Sequence, residues 1–173
     1  MFLTQLRRLS LGFTVLLLLL ITSPLVAQQA QLELSEAIVD ASRQFIGSLD
    51  TAQRAQATYE FGSEERINWH FIPRARQGIA LNELEAAQLV AARELLQTLF
   101  SAKGFQKTES VRDLENVLAV LEPNGPFVRD PDLYYLTVFG EPAMQGAWGI
   151  RYEGHHLAFN WTFIEGAGIE STP

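Results

Sequence analysis

Apolar residues recur at helical spacing through the middle of the chain and change to strand spacing near its C-terminus. Ser35 reads as the cap of a first helix through Ala37, Ile38, Ala41, Phe45 and Ile46, with Gly47 near its end. Asp50 opens a second helix bearing Ala52, Ala55 and Tyr59. Ile67, Trp69 and Phe71 alternate with Asn68 and His70, which predicts an extended segment over 66–72 closed by Pro73, its apolar side turned to the core. Asn82 with Glu85 three residues on is a variant of the capping box. It opens the clearest helix, from Glu83 to about Ala102, with Leu84, Leu89, Ala92, Leu95, Leu96 and Leu99 in one stripe and Gly104 as the stop. A further helix is predicted from about Glu109 to Leu121, with Val111, Leu114, Val117, Leu118 and Leu121 as its apolar face. Glu122-Pro123-Asn124-Gly125-Pro126 breaks it, and Tyr134 to Phe139 reads as a strand. The order predicts an α+β fold, a helical N-terminal part followed by a short antiparallel sheet ending in a β-hairpin.

The hairpin carries the chemistry. Trp148–Tyr152 and His155–Phe163 are rich in aromatic and branched residues, and Glu153-Gly154 between them suits a two-residue turn. That turn would pair Tyr152 with His155 and Arg151 with His156. Alternation then gives a core face of Trp148, Ile150, Tyr152, His155, Leu157, Phe159, Trp161 and Phe163. Gly149, Arg151, His156, Ala158, Asn160 and Thr162 form a polar platform floored by small residues.

The first 27 residues read as a secretory signal. Arg7-Arg8 precede the apolar run Leu11–Ile21, Pro24 breaks it, and Leu25-Val26-Ala27 offers a cleavage site before Gln28. The run is short of the roughly twenty residues of a membrane span, so no stable membrane anchor is expected after cleavage. The expected location is secreted or periplasmic, with residues 28–173 as a single α+β domain. There is no cysteine, hence no disulfide and no lipid-attachment cysteine. The chain has 13 basic and 20 acidic residues; the first 27 residues hold two of the basic and none of the acidic. The remainder therefore has a formal charge of −9, which argues against nucleic acid and anionic lipid as partners.

Two readings of the histidines compete. In one, His156 is an acid/base group flanked by Arg151 and Asn160, since imidazole titrates near neutral pH. In the other, His155 caps the apolar face and His156 is an exposed strand residue. A metal held by His155 and His156 together is a speculative third, because adjacent strand residues face opposite ways and no nearby Cys or His completes a zinc ligand set. His70, Arg74 and Arg76 form a second polar cluster. They supply either an anion-binding wall, since arginine suits carboxylate and phosphate, or solvated loop charges on an acidic surface. No GxSxG, HExxH, Walker or GxGxxG pattern is present.

Gln53-Arg54, Arg66-Ile67-Asn68-Trp69, Pro73 to Gly78, Leu84 with Gln88, Arg129-Asp130-Pro131, Phe139-Gly140, Trp148-Gly149 and Glu153-Gly154-His155-His156 together resemble one family. It is the domain of unknown function numbered 3500, and the resemblance runs over about residues 35 to 173. It implies an exported bacterial or fungal protein and brings no established activity. Members of the family look longer, continuing beyond a Thr-Pro pair like Thr172-Pro173 into a second half. The resemblance thus implies that the chain is truncated, the first part of a longer domain, or that it closes its aromatic sheet face by self-association.

The functional expectation is an exported hydrolase with His156, Arg151 and Asn160 on the hairpin as catalytic residues and His70, Arg74 and Arg76 as ligand-binding residues. Its alternative is a non-catalytic protein that binds a small anion or a metal. A purely structural module whose histidines only stabilise the hairpin is the third reading. The sequence specifies no cofactor and no substrate beyond a small molecule.

Overall fold

In a computed structural model the backbone is described for residues 26–171 and the side chains for residues 26–166. The signal expected over residues 1–27 falls almost wholly outside that range. No described helix is long and apolar enough to cross a membrane.

Helix α1 covers 26–48, and the compact unit that carries the site begins at Ser35. Ser35 is not its cap: it sits within the helix, and its hydroxyl donates to the carbonyl of Gly166 at 2.5 Å. Helix α2 (Thr51–Ala57) is capped by Asp50, whose carboxylate accepts from Gln53 N while Gln53 Oε1 accepts from Asp50 N. Strand β1 (Thr58–Tyr59) follows, then a 3₁₀ turn at Glu64–Ile67, strand β2 (Ile79–Ala80) and a second 3₁₀ turn at Leu81–Glu83. Helices α3 (Ala86–Leu99) and α4 (Ala102–Leu121) precede strands β3 (Tyr135–Phe139), β4 (Ala147–Gly154), β5 (Leu157–Ile164) and β6 (Ala167–Ser171). The fold is α+β.

The sheet order is β1-β3-β4-β5-β6, with β1 parallel to β3 and the later pairs antiparallel. The short β2 shares the β3 edge with β1, antiparallel, so two fragments cap what would be an open strand. One sheet face carries Leu136, Val138, Trp148, Ile150, Tyr152, Trp161 and Phe163 and packs against Ile38, Phe45 and Leu49 of α1 and Ala92, Leu95 and Leu96 of α3 in one buried cluster. The opposite face carries Thr137, Arg151 and Glu153, all fully buried. The chain between β1 and β2 ties that face through Glu65, which accepts from Arg151, and His70 N, which donates to Glu153.

Four further expectations are corrected. The hairpin turn is His155-His156, with Gly154 paired to Leu157, Tyr152 to Phe159 and Arg151 to Asn160. Gly154 stays in the strand because a Cβ there would lie 2.2 Å from the Tyr134 ring; His156 takes the left-handed turn position at φ 61° instead. The new pairing differs by an even number of residues, so the predicted faces persist apart from the histidines.

Residues 66–72 are not a strand. Ser63 caps the 3₁₀ turn through Glu65 N, and the next carbonyls are held by a guanidinium, leaving Ile67 73 % and Phe71 54 % exposed. The helix break lies at Phe100-Ser101 rather than at Gly104, because Ser101 Oγ accepts from Gly104 N and starts α4 there. Finally, α4 turns Thr108, Arg112 and Glu115 inward; of its apolar stripe Val111 is half-buried against the core, whereas Leu114, Val117 and Leu121 are at least half exposed.

Candidate functional site

The buried polar face of α4 determines the site. Arg112 donates to the Pro131 carbonyl at 2.8 Å and pairs with Glu109 and Asp132, fixing the chain that leads into β3. One turn on, Glu115 meets the hairpin tip: its Oε1 contacts His155 Nδ1, and its Oε2 lies 3.6 Å from Arg129. Arg129 is held in turn by Glu122 at 2.6 Å. A carboxylate can only accept, so the His155–Glu115 contact puts the proton on Nδ1 and leaves Nε2 as the free ring nitrogen. Arg129 NH1, 3.3 Å from that same Nδ1, then serves as a neighbouring charge rather than a second donor.

The tip is braced from below. Tyr134 donates its hydroxyl to the His155 carbonyl at 2.8 Å. Burial first, and the nearby Glu115 second, push the Tyr134 hydroxyl up to about 12, so it remains a donor well into the alkaline range. Burial also raises Tyr59, Tyr135 and Tyr152, which accounts for all four tyrosines of the chain. In the unfolded chain the phenols ionise near pH 10. Their stabilising contribution is therefore complete below that pH and lost as pH rises through the native values. Absorbance at 295 nm should show native tyrosine ionisation lagging behind that in denaturant, with the melting temperature falling steeply between about pH 10 and 12. Superimposable titrations would contradict the burial of these rings.

A cleft of about 170 Å³ opens beside the pair, lined by Pro73–Arg76, Pro126–Val128, Asp130 and Leu133 together with the buried Glu115 and Tyr134 and the half-buried His155. A smaller hollow of about 120 Å³, lined by Glu65, Asn68, His70 and Gln77, shares Arg74, Ala75 and Arg76 with it. Arg76 holds this wall: it donates to the carbonyls of His70, Ile72, Arg74 and Gly154 and pairs with Glu153 at 3.4 Å. Burial lowers its pKa despite that carboxylate. Arg74 is different. Its guanidinium contacts His70 Nε2 at 2.9 Å, and among the described residues no carboxylate pairs with it.

The expected site residues therefore separate. Arg151 and Asn160 pair across β4 and β5, but Arg151 is closed off by Glu65 at 2.6 Å and Glu153 at 2.8 Å. His156 lies at the turn, exposed, four residues along β5 from Asn160. His70, Arg74 and Arg76 do gather, beside the cleft. His155 and His156 stack with centroids 4.0 Å apart; in a turn they are not forced to opposite faces, yet among the described residues no three His, Cys, Asp or Glu side chains converge as metal ligands. Sequence reasoning missed Glu115, Arg129 and Tyr134. The available signal was the spacing of Thr108, Arg112 and Glu115, which places three polar residues on one helical face.

The short motifs that carry the family resemblance meet in space: Gln53 and Gln88 exchange side-chain hydrogen bonds, Arg76 pairs with Glu153, and Arg129 touches His155. The model of a family described as protein of unknown function (DUF3500) matches residues 31–173. The chain belongs to that family. No curated protein and no solved structure matches it. What this DUF3500 chain offers chemically is a buried His/Arg/Glu network at the hairpin tip, open to a cleft on one side.

Proposed function

We propose that the chain is an exported hydrolase acting on a small anionic substrate, with His155 as acid/base, Glu115 as its positioning residue and Arg74 as the group that receives the substrate anion. The observation that carries this reading is the carboxylate-held imidazole lining a cleft. Fixing Nδ1–H on Glu115 orients the ring and stabilises the imidazolium when Nε2 takes a proton. None of the described residues lining the cleft is a serine, threonine or cysteine, which favours water as the nucleophile. His155 Nε2 would remove a proton from that water as it adds to the acyl carbon, then return the proton to the leaving group. Export rests on the Arg7-Arg8 and leucine-rich leader.

Turnover of a panel of carboxylate-bearing esters and amides tests the reading. His155→Ala should lower kcat by roughly 10²–10⁴-fold with cooperative unfolding retained, the range of a lost acid/base group. Arg74→Ala should act mainly on KM. Turnover that survives in His155→Ala would end the catalytic assignment. The lone Arg74 guanidinium favours a second reading, a non-catalytic small-anion binder. In that case carboxylates raise the melting temperature through mass action without any turnover.

A further inference from the structure

On the other side of the histidine turn lies a groove of about 600 Å³ between the α3–α4 junction and the start of β5. Its floor is Leu99, Phe100, Val111, Leu157 and Phe159. Phe100 stands edge-on to Phe159 at 4.8 Å and to Trp161 at 5.1 Å, so the floor is a packed aromatic surface rather than loose side chains. Lys107 and His156 line the rim, and no described carboxylate does. That contrast is unusual on a chain with formal charge −7. Both lysines of the chain, Lys103 and Lys107, lie one turn apart near the start of α4. The groove volume falls within the roughly 300–1,000 Å³ usual for small-molecule sites.

We infer that this groove binds a single free amphiphile with a carboxylate head and an aliphatic tail. The tail lies on the aromatic floor and the head on Lys107 and His156. An alcohol of equal length would leave the Lys107 ammonium without a charged partner, and a cationic amphiphile would be repelled by it. An anionic membrane surface is a poorer partner, because the acidic remainder of the protein opposes it. The groove shares no lining residue with the polar cleft: His155 lines that cleft, while His156 lines this groove.

The test is calorimetric titration of the full chain, below micelle formation, with dodecanoate, dodecanol and dodecyltrimethylammonium, alongside the Lys107→Glu and Val111→Trp variants. Expected are one saturable dodecanoate site and weak or absent binding of the other two. Lys107→Glu should weaken dodecanoate roughly tenfold, since an exposed attraction is replaced by a repulsion. Val111→Trp should abolish binding by filling the floor, its fold checked by thermal unfolding. The assignment is overturned by dodecanol binding as tightly as dodecanoate, by no saturable binding, or by affinity unchanged in both variants. Two further results also overturn it: binding only to anionic vesicles, and a groove occupied by a second copy, seen as a dimer that Val111→Trp converts to monomer.

Discussion

Arg151→Met is expected to destabilise the fold by about 3–5 kcal/mol, the cost of removing one partner from a buried ion pair. Arg151 is 0 % exposed and stands between two carboxylates, Glu65 at 2.6 Å and Glu153 at 2.8 Å. Glu153 is also 0 % exposed and reaches Arg76 only at 3.4 Å. Without the guanidinium, Glu153 becomes a buried charge with one distant cation. Its Oε1 is poorly placed even now, since the 2.8 Å approach of Arg151 Nε is not a well-aligned hydrogen bond. The loss should appear as a lower denaturant midpoint at unchanged slope. Arg151→Met/Glu153→Leu should recover only part of it: the buried Glu153 charge is gone, but Arg76, its side chain 3 % exposed, loses its carboxylate partner and Glu65 loses its guanidinium. Denaturation of the two single variants and the double variant forms a cycle that isolates their coupling. A cost below about 1 kcal/mol for Arg151→Met would mean the pair is not desolvated, contrary to its burial.

The same pair links stability to the cleft. Glu153 Oε2 accepts from His70 N at 2.7 Å and anchors Arg76, whose guanidinium binds the carbonyls around Pro73. The cleft wall at Pro73–Arg76 is thus hung from a charge buried in the sheet. Arginines that read as solvated loop charges or as ligand groups prove to differ: Arg76 is spent on the backbone, and Arg74 is left at the surface.

This division also shows what the sequence could convey. Strand periodicity identified β3, β4 and β5 and sorted the faces of β4 and β5 apart from the two histidines, because side-chain direction depends only on parity and the register error was even. The turn itself was misplaced because glycine has two uses. At Gly154 it makes room for a ring; at Gly166, φ 73°, it makes the turn after Glu165 that returns β6, a strand sequence reading did not find. Helical periodicity located α4 but chose the wrong face, since Arg112 and Glu115 find partners more than fifteen residues away. Local pattern cannot report such pairings: the spacing of Thr108, Arg112 and Glu115 marks a polar helical face, but nothing in it joins Glu115 to His155. Two-residue strands such as β1 and β2 lie below any period; only the long β3 edge makes them strands.

Gly154→Ala is expected to cost about 3 kcal/mol, at the upper end for overpacking a core position. The backbone at Gly154 lies outside the left-handed region, so an alanine there carries no conformational penalty. In open space such a change would stabilise the fold by about 0.4–1 kcal/mol, through the unfolded chain. Here the added Cβ would stand 2.2, 2.5 and 2.7 Å from three atoms of the Tyr134 ring. That ring cannot step aside freely: its hydroxyl holds the His155 carbonyl at 2.8 Å, and the Arg112 guanidinium lies 5.6 Å over its face. Displacing it would shift the histidine turn and loosen the His155–Glu115 contact, so any His155-dependent activity should fall with the stability. Tyr134→Ser in the same chain removes the clash along with the ring's packing, so the double variant should be more stable than the sum of the two single losses. A Gly154→Ala protein as stable as the parent, by denaturant midpoint, would place that ring elsewhere and remove the brace beneath the proposed acid/base pair.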